Sequence, residues 1–180
     1  MKDPLVNKKF PLLFLILVIS ISGLGFKNPT DFFSKTEAYF SPEGQIKERL
    51  IKAIQESKET IDIAIFNFTS HNLRTALVKA KKRGVKIRVI TDAKEAQNDE
   101  HSLIPTLVQE GFEVRLLKKQ GEGIMHDKFA VFDQKLLFTG SYNWTESAEK
   151  RNYENVLFIP NEEIIKKYEQ EFERMWTAKN

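Results

Sequence analysis

The sequence predicts an α/β domain with a mixed, largely parallel central sheet that is flanked by helices on both faces. Short apolar runs rich in β-branched residues alternate with segments of ten or more residues whose apolar positions recur at helical spacing. The chain has 180 residues, of which 41% are hydrophobic and 29% charged. It is therefore long enough for one sizeable core, and its composition is that of a globular protein rather than a disordered one.

The first half of the domain consists of helix and strand units. Leucine and isoleucine recur at helical spacing within residues 42–59, and a β-branched run at 60–66 predicts a buried strand. Ser70 is a suitable N-cap and Gly84 a suitable stop for a second helix. The alternation continues with a strand at 85–91, a helix at 102–111 and a strand at 112–116.

The second half predicts a hairpin instead of further crossover units. Its apolar runs at 128–133 and 136–140 are separated by Gln134 and Lys135, which we expect to form the turn. A further strand at 155–160 and a closing amphipathic helix at 161–176 complete the predicted domain.

The N-terminus differs from the rest of the chain. Three lysines precede a charge-free stretch at residues 10–26, which is the layout of a basic n-region followed by an apolar h-region. Residues 1–26 are thus predicted to be an export signal or a retained membrane anchor, either of which places the domain outside the cytoplasm, in the periplasm or another extracytoplasmic space. Residues 27–38 are expected to be a linker and residues 39–180 the folded domain.

Charge and cysteine content limit the function. The chain contains no cysteine, which excludes disulfides and thiolate metal sites, and no other ligand cluster predicts a metal or cofactor. Without residues 1–26 the net charge falls from +3 to about +1. Overall charge therefore gives no strong argument for nucleic acid, although charge could still be concentrated locally.

Residues 126–133, HDKFAVFD, carry the first chemical signal. The alternation of a strand points His126 and Lys128 to one face, at a separation that one phosphate could bridge. Imidazole can attack or transfer a proton near neutral pH, and an ammonium group neutralises charge on a phosphoryl oxygen. Taken alone, such a two-residue match favours the simpler interpretation of incidental polar groups at a strand end.

The second signal lies at the end of the neighbouring predicted strand. Ser141 and Asn143 can supply a hydroxyl and an amide beside the same phosphate, and Gly140 allows a close approach of the backbone. The complete pattern, HxKx4Dx6GSxN, consists of His126, Lys128, Asp133, Gly140, Ser141 and Asn143. It resembles the signature of the phospholipase D superfamily, and residues 39–176 are similar to its small single-motif bacterial endonuclease-like branch.

This resemblance implies a phospholipase D/nuclease-like sandwich and a mechanism. His126 would attack phosphorus to give a phosphohistidine, and the equivalent histidine of a second subunit would protonate the leaving oxygen. Lys128 and Asn143 would hold the non-bridging oxygens without a metal, and Glu154 would orient the imidazole. Asp133 has either a role in the site or a structural role at the hairpin turn. One motif per chain implies a homodimer with a shared active site.

Several neighbours are candidate substrate contacts. Lys118 and Lys119 precede a glycine-containing loop that leads to His126, so they could form a basic rim for a polyanion. Trp144 could stack on a base, or it could be a buried aromatic residue.

The predicted function is metal-independent phosphodiester hydrolysis, with DNA or RNA as the expected substrate of an endonuclease. The alternative enzyme is a phospholipase D acting on membrane phospholipid, such as a phosphatidyl headgroup or cardiolipin, to which the apolar N-terminus would hold it close. A non-catalytic module that binds nucleic acid or anionic lipid is a minor alternative, because such a module would be expected to lack the histidine or the lysine.

Overall fold

The computed structural model describes residues 35–118 and 123–178. The predicted export segment, residues 27–34 of the predicted linker, and Lys119 lie outside these ranges. Every helix within the described ranges is too short or too polar to cross a lipid bilayer.

The described chain contains seven strands and six helices in the order β1, α1, β2, α2, β3, α3, α4, β4, β5, β6, α5, β7, α6. The strands are β1 Glu37–Phe40, β2 Thr60–Ile65, β3 Lys86–Asp92, β4 Glu113–Leu117, β5 Lys128–Phe132, β6 Leu136–Gly140 and β7 Asn155–Ile159. The helices are α1 Ile46–Glu56, α2 His71–Lys82, α3 Ala93–Asn98, α4 Ile104–Gln109, α5 Glu146–Lys150 and α6 Glu162–Thr177.

All seven strands form one sheet in the order β1-β7-β6-β5-β2-β3-β4. The pairs β2–β3 and β3–β4 are parallel, whereas the pairs β2–β5, β5–β6, β6–β7 and β1–β7 are antiparallel. The mixed sheet is thus confirmed. Five of the seven strands run in one direction, and β5 and β7 run in the opposite one. Most neighbouring pairs are nevertheless antiparallel, because β5 and β7 lie between strands of the other direction. The hairpin and β7, which follow one another without long crossovers, account for this difference.

Helices cover both faces of the sheet, as predicted. One face packs against α1, α2 and α4 through the larger hydrophobic cluster, in which Leu50, Leu77 and Leu107 are fully buried. The other face packs against α6 through a second cluster that includes Phe172. The fold is therefore three layers, with the sheet in the middle and its strand ends free to carry polar groups.

Most of the differences from the predicted elements involve short ones. Strand β1 begins at Glu37, so the last two residues of the predicted linker belong to the domain. Helices α3 and α5 were not predicted. In the β5–β6 hairpin, Asp133 and Gln134 have φ angles of 50° and 55°. The turn is therefore centred one residue earlier than predicted, because both central positions of this tight turn require the left-handed region.

Candidate active site

The two halves of the motif lie at the same edge of the sheet. Strand β5 pairs with β2 at Ile65 opposite Lys128, and with β6 at Phe129 opposite Thr139. Lys128, at the start of β5, and Gly140, at the end of β6, therefore lie side by side, since the strands are antiparallel. His126 precedes this edge and Ser141 follows it, so one hairpin brings the two halves of the sequence pattern together.

His126 lies outside the strand, because β5 begins at Lys128. The prediction that both side chains occupy one face of a strand is therefore wrong for the histidine. Its segment is held by two other contacts: the Met125 N–H donates to the Asp92 carboxylate at 3.0 Å, and Lys128 Nζ donates to the His126 carbonyl at 2.6 Å. The imidazole is exposed, and it meets the ring of Phe66 with 4.7 Å between centroids. The reactive ring is thus accessible while its backbone is fixed.

Lys128 is a largely buried cation, with 7% of the residue exposed. Burial lowers its pKa below the ordinary value, and the negative charges of Asp127 and Glu154 partly oppose this shift. Its Nζ lies 5.3 Å from the centroid of the Phe66 ring. An ammonium group with reduced hydration interacts more strongly with an anion than one in bulk water does.

Asn143 has a defined amide orientation. Its Oδ1 accepts a hydrogen bond from the Asn67 backbone N–H at 3.2 Å, which leaves the Nδ2 as a donor for a ligand. The loop is further held by Tyr142, a fully buried residue whose hydroxyl donates to the buried Glu149 at 2.6 Å. Burial, and then the hydrogen bond to that carboxylate, raise the pKa of Tyr142, so the hydroxyl keeps its proton.

Glu154 bonds to residues other than the histidine. Its carboxylate accepts hydrogen bonds from Ser141 Oγ at 2.5 Å and from Asn152 Nδ2 at 3.0 Å. The same serine oxygen also accepts from the Asn155 N–H at 3.2 Å. Within the described ranges the His126 imidazole has no hydrogen bond, so orientation of the imidazole by Glu154 stays a prediction.

Two predicted substrate contacts have structural roles in the described chain. A Cβ added at Gly140 would lie 2.0 Å from the Asn155 carbonyl, so the close approach is made by strand β7 rather than by a phosphate. Trp144 is fully buried and packs edge-on against Phe68 and Phe138. Stacking of Trp144 on a base is therefore wrong, because its ring is part of the core.

Asp133 lies at the opposite end of β5 from the histidine. Its carboxylate accepts hydrogen bonds from the backbone N–H groups of Lys58, Glu59 and Thr60 at 2.8, 2.8 and 2.9 Å. It thereby ties the hairpin turn to the loop that precedes β2. Of its two predicted roles, these hydrogen bonds support the structural one at the turn, and the position at the far end of β5 separates Asp133 from His126.

Open clefts lie on both sides of the motif. A cleft of about 450 Å³ contains His126, Lys118 and Arg174, together with the acidic Asp127 and Glu171. A larger cleft of about 780 Å³ reaches Asn143 and includes the two other histidines of the chain, His71 and His101, both of them exposed. Lys118 thus has the predicted place beside the histidine. Within the described ranges, no group of three or more histidine, cysteine and acidic side chains is arranged to hold a metal ion.

Three residues that support this site were not predicted from the sequence. Phe66 and Asn67 follow β2 directly and contact opposite halves of the motif. Asp92, the last residue of β3, is 3% exposed and holds both the N-terminus of α3 and the segment before His126. Their position at the carboxyl ends of adjacent parallel strands is the signal that could have identified them.

Comparisons with known proteins agree with this geometry. Residues 50–176 match the family described as "Cardiolipin synthase, PLD-like domain". The mitochondrial cardiolipin hydrolase of Canis lupus familiaris is 39% identical over 140 residues, which are 77% of this chain and 54% of that protein. A phospholipase D of Rickettsia conorii is 31% identical over 137 residues, covering 76% and 67% of the two chains. This chain thus spans about half the length of the cardiolipin hydrolase.

Two solved structures match over nearly their whole length. NucT from Helicobacter pylori has a TM-score of 0.72 and 31% identity, with 79% of this chain and 95% of that chain covered. Nuc from Salmonella typhimurium, described as a phospholipase D family member, has a TM-score of 0.71 and 29% identity, with 79% and 93% covered. The motif, the hairpin that assembles it and the extent of these matches lead to one conclusion: the chain belongs to the phospholipase D superfamily.

Proposed function

We propose that this protein is a metal-independent phosphodiesterase that acts through a phosphohistidine on His126. The observation that carries the proposal is the meeting of an exposed imidazole, a largely buried ammonium and an oriented amide at one edge of the sheet. These groups match the needs of phosphoryl transfer, namely a nucleophile and fixed donors for the non-bridging oxygens. The names of the relatives, cardiolipin hydrolase and phospholipase D, support the same bond type.

The reaction would proceed in two displacements at phosphorus. In the first, an imidazole nitrogen of His126 forms the N–P bond while the ester P–O bond breaks, and the leaving oxygen takes a proton from an acid. In the second, water attacks phosphorus, gives a proton back to that acid and releases His126. Lys128 and the Nδ2 of Asn143 would stabilise the charge on the non-bridging oxygens in both steps.

The acid would come from a second copy of the chain. Each chain supplies one motif, so a symmetric homodimer with the site on its two-fold axis would bring two copies of His126 to one phosphate. Mixed dimers of wild-type and His126→Ala chains, isolated by two different affinity tags, should then be inactive. Half the parent activity per mixed dimer would show that each chain carries a complete site.

We propose nucleic acid as the substrate. Support comes from the resemblance to the endonuclease-like branch and from the match of the domain to almost the whole of Nuc and NucT. Lys118 and Arg174 in the cleft beside His126 would contact flanking phosphates.

Phospholipid is the second candidate. The relatives named for cardiolipin hydrolysis and phospholipase D favour it, as does Ile124, an apolar side chain 44% exposed in the cleft beside His126. Such a residue could contact an acyl chain at a lipid surface.

One experiment tests the activity and separates the substrates. The full chain in mild detergent is incubated in excess chelator with single-stranded DNA, duplex DNA, RNA and cardiolipin micelles, alongside His126→Ala as the matched control. We expect hydrolysis of nucleic acid by the parent and none by the variant. Cleavage of cardiolipin alone would assign the second candidate, and chelator-sensitive activity would contradict the metal-free mechanism.

We further infer that residues 1–26 export the domain or anchor it in a membrane. The basic and apolar layout of the segment supports this. N-terminal sequencing of the protein from a bacterial host, combined with protease accessibility in spheroplasts, would distinguish a cleaved signal from an anchor. A full-length chain in the cytosolic fraction would contradict both.

A further inference from the structure

The two reactive side chains of the motif share one aromatic neighbour. The ring of Phe66 meets the His126 imidazole edge-on, with 4.7 Å between centroids and 66° between planes. The same ring lies 5.3 Å from Lys128 Nζ. Phe66 is not part of the HxK and GSxN pattern, and it directly follows β2, about sixty residues before His126 in the chain.

Phe66 is well anchored, whereas the imidazole has few restraints of its own. Phe66 directly follows the fully buried Ile65, and its carbonyl accepts a hydrogen bond from Thr91 Oγ1 at 3.2 Å. Thr91 is itself fully buried in β3. The hydrogen bonds near His126, in contrast, involve its carbonyl oxygen and the neighbouring Met125 N–H, and the part of the chain that the structure describes shows none to the imidazole. The ring contact with Phe66 is therefore a restraint that acts on the imidazole itself.

We propose that Phe66 is a positioning residue for the reaction, which orients the His126 imidazole and shields the Lys128 ammonium from water. This inference rests on the proposed phosphodiesterase activity. A flat ring beside the imidazole limits its rotation, since aromatic pairs prefer edge-to-face contact. The same ring covers the ammonium group on one side, where a cation over an aromatic face is favourable. Phe66 thereby contacts both the nucleophile and the cation that would neutralise the charge on the non-bridging oxygens.

The test compares Phe66→Leu with Phe66→Tyr in the full chain in detergent, with bis(p-nitrophenyl) phosphate as substrate. We expect Phe66→Leu to lower kcat by about 10- to 100-fold, because misplacement of a reacting group by about 1 Å costs that much. KM should change less than kcat, and the tyrosine variant should recover most of the rate.

A second measurement does not depend on activity. The ring current of Phe66 should displace the proton resonances of the His126 imidazole, which can be assigned among three histidines with His126→Gln. We expect this displacement to disappear in Phe66→Leu and to persist in Phe66→Tyr. The control is Phe129→Leu. Phe129 is a buried residue of β5, and its ring packs against Tyr168. This substitution should lower Tm while leaving the His126 resonances and kcat in place.

The outcomes separate the two proposals. If the parent hydrolyses no diester, the proposed function is refuted, and the resonances alone then decide the role of Phe66. Unchanged His126 resonances in Phe66→Leu, or an unchanged kcat in an active enzyme, would overturn the positioning role. Equal losses of kcat in Phe66→Leu and Phe129→Leu would show that only general stability is involved.

Discussion

The aspartate of the sequence signature should be needed for stability and not for chemistry. The substitution Asp133→Ala removes the carboxylate that accepts three backbone hydrogen bonds of 2.8–2.9 Å from residues 58–60. It also places a residue with no local hydrogen-bonding group at a φ of 50°, a region that aspartate and asparagine tolerate better than alanine. Both changes act at the hairpin turn.

The expected magnitude follows from these contacts. Hydrogen bonds to a charged acceptor each contribute about 1.5–3 kcal/mol when buried, but the donors of residues 58 and 59 are exposed and regain water. We therefore expect a total loss of about 2–3 kcal/mol in the free energy of unfolding, or about 5–10 °C in Tm. Five residue steps of roughly 3.3 Å separate Asp133 from Lys128 at the other end of β5, so these two residues lie about 17 Å apart. The rate per folded molecule should remain within about twofold of the parent.

Thermal unfolding monitored by circular dichroism and turnover of bis(p-nitrophenyl) phosphate, both on the full chain, measure these quantities. Asp133→Asn is the matched variant, because it keeps one acceptor oxygen and tolerates the left-handed region, so its Tm should lie between those of the parent and Asp133→Ala. His126→Ala should give the opposite pattern, with Tm unchanged and turnover lost. A tenfold loss of turnover in Asp133→Ala at unchanged Tm would refute the structural assignment.

Three further predictions follow from contacts at the other end of the hairpin. Gly140→Ala should lower the free energy of unfolding by about 2 kcal/mol or more in urea titrations, because a Cβ there would lie 2.0 Å from the Asn155 carbonyl; a neutral result would mean that β6 and β7 separate easily. Asn67→Ala should lower kcat about tenfold. It removes the 2.6 Å hydrogen bond from Asn67 Nδ2 to Glu95, which holds in place the backbone N–H that orients Asn143. An unchanged kcat would show that Asn67 does not position Asn143. The pKa of Lys128 lies below its ordinary value of 10.5, and only the ammonium form neutralises a phosphoryl oxygen. The rate should therefore decline as the pH rises through this lowered pKa. A rate that stays constant up to pH 10.5 would contradict the role of Lys128.

The sequence could predict the elements whose patterns are long. Helices α1, α2 and α6 repeat their apolar positions over several turns, and the hairpin was visible as two apolar runs separated by a polar pair. Because the hairpin was predictable, so was the meeting of His126 and Lys128 with Ser141 and Asn143. Strand β1 and helices α3 and α5 have four to six residues each, which is too short for a period to be recognised.

Roles that depend on distant partners could not be predicted. The three donors to Asp133 lie 73 to 75 residues earlier in the chain, so the local sequence gives no indication of them. Trp144 follows the motif asparagine directly, yet its ring belongs to the core because the loop pairs with the segment after β2 at Phe68. Phe66 directly follows an apolar strand, so its sequence context predicts another core residue. In the structure its ring lies against the reactive side chains instead.

The hairpin also explains the numbers in the sequence signature. Strands β5 and β6 have five residues each, and residues 133–135 connect them, so the interval from Lys128 to Gly140 is the length of one outward strand, one reversal and one return. The number of residues between Lys128 and Gly140 is therefore set by the length of the hairpin and not by the chemistry of the site. Adding two residues to each strand would keep the pairing and the facing of every side chain. A single added residue would turn one half of the pattern away from the other, so we expect chains with this chemistry to vary the spacing only in steps that preserve the register.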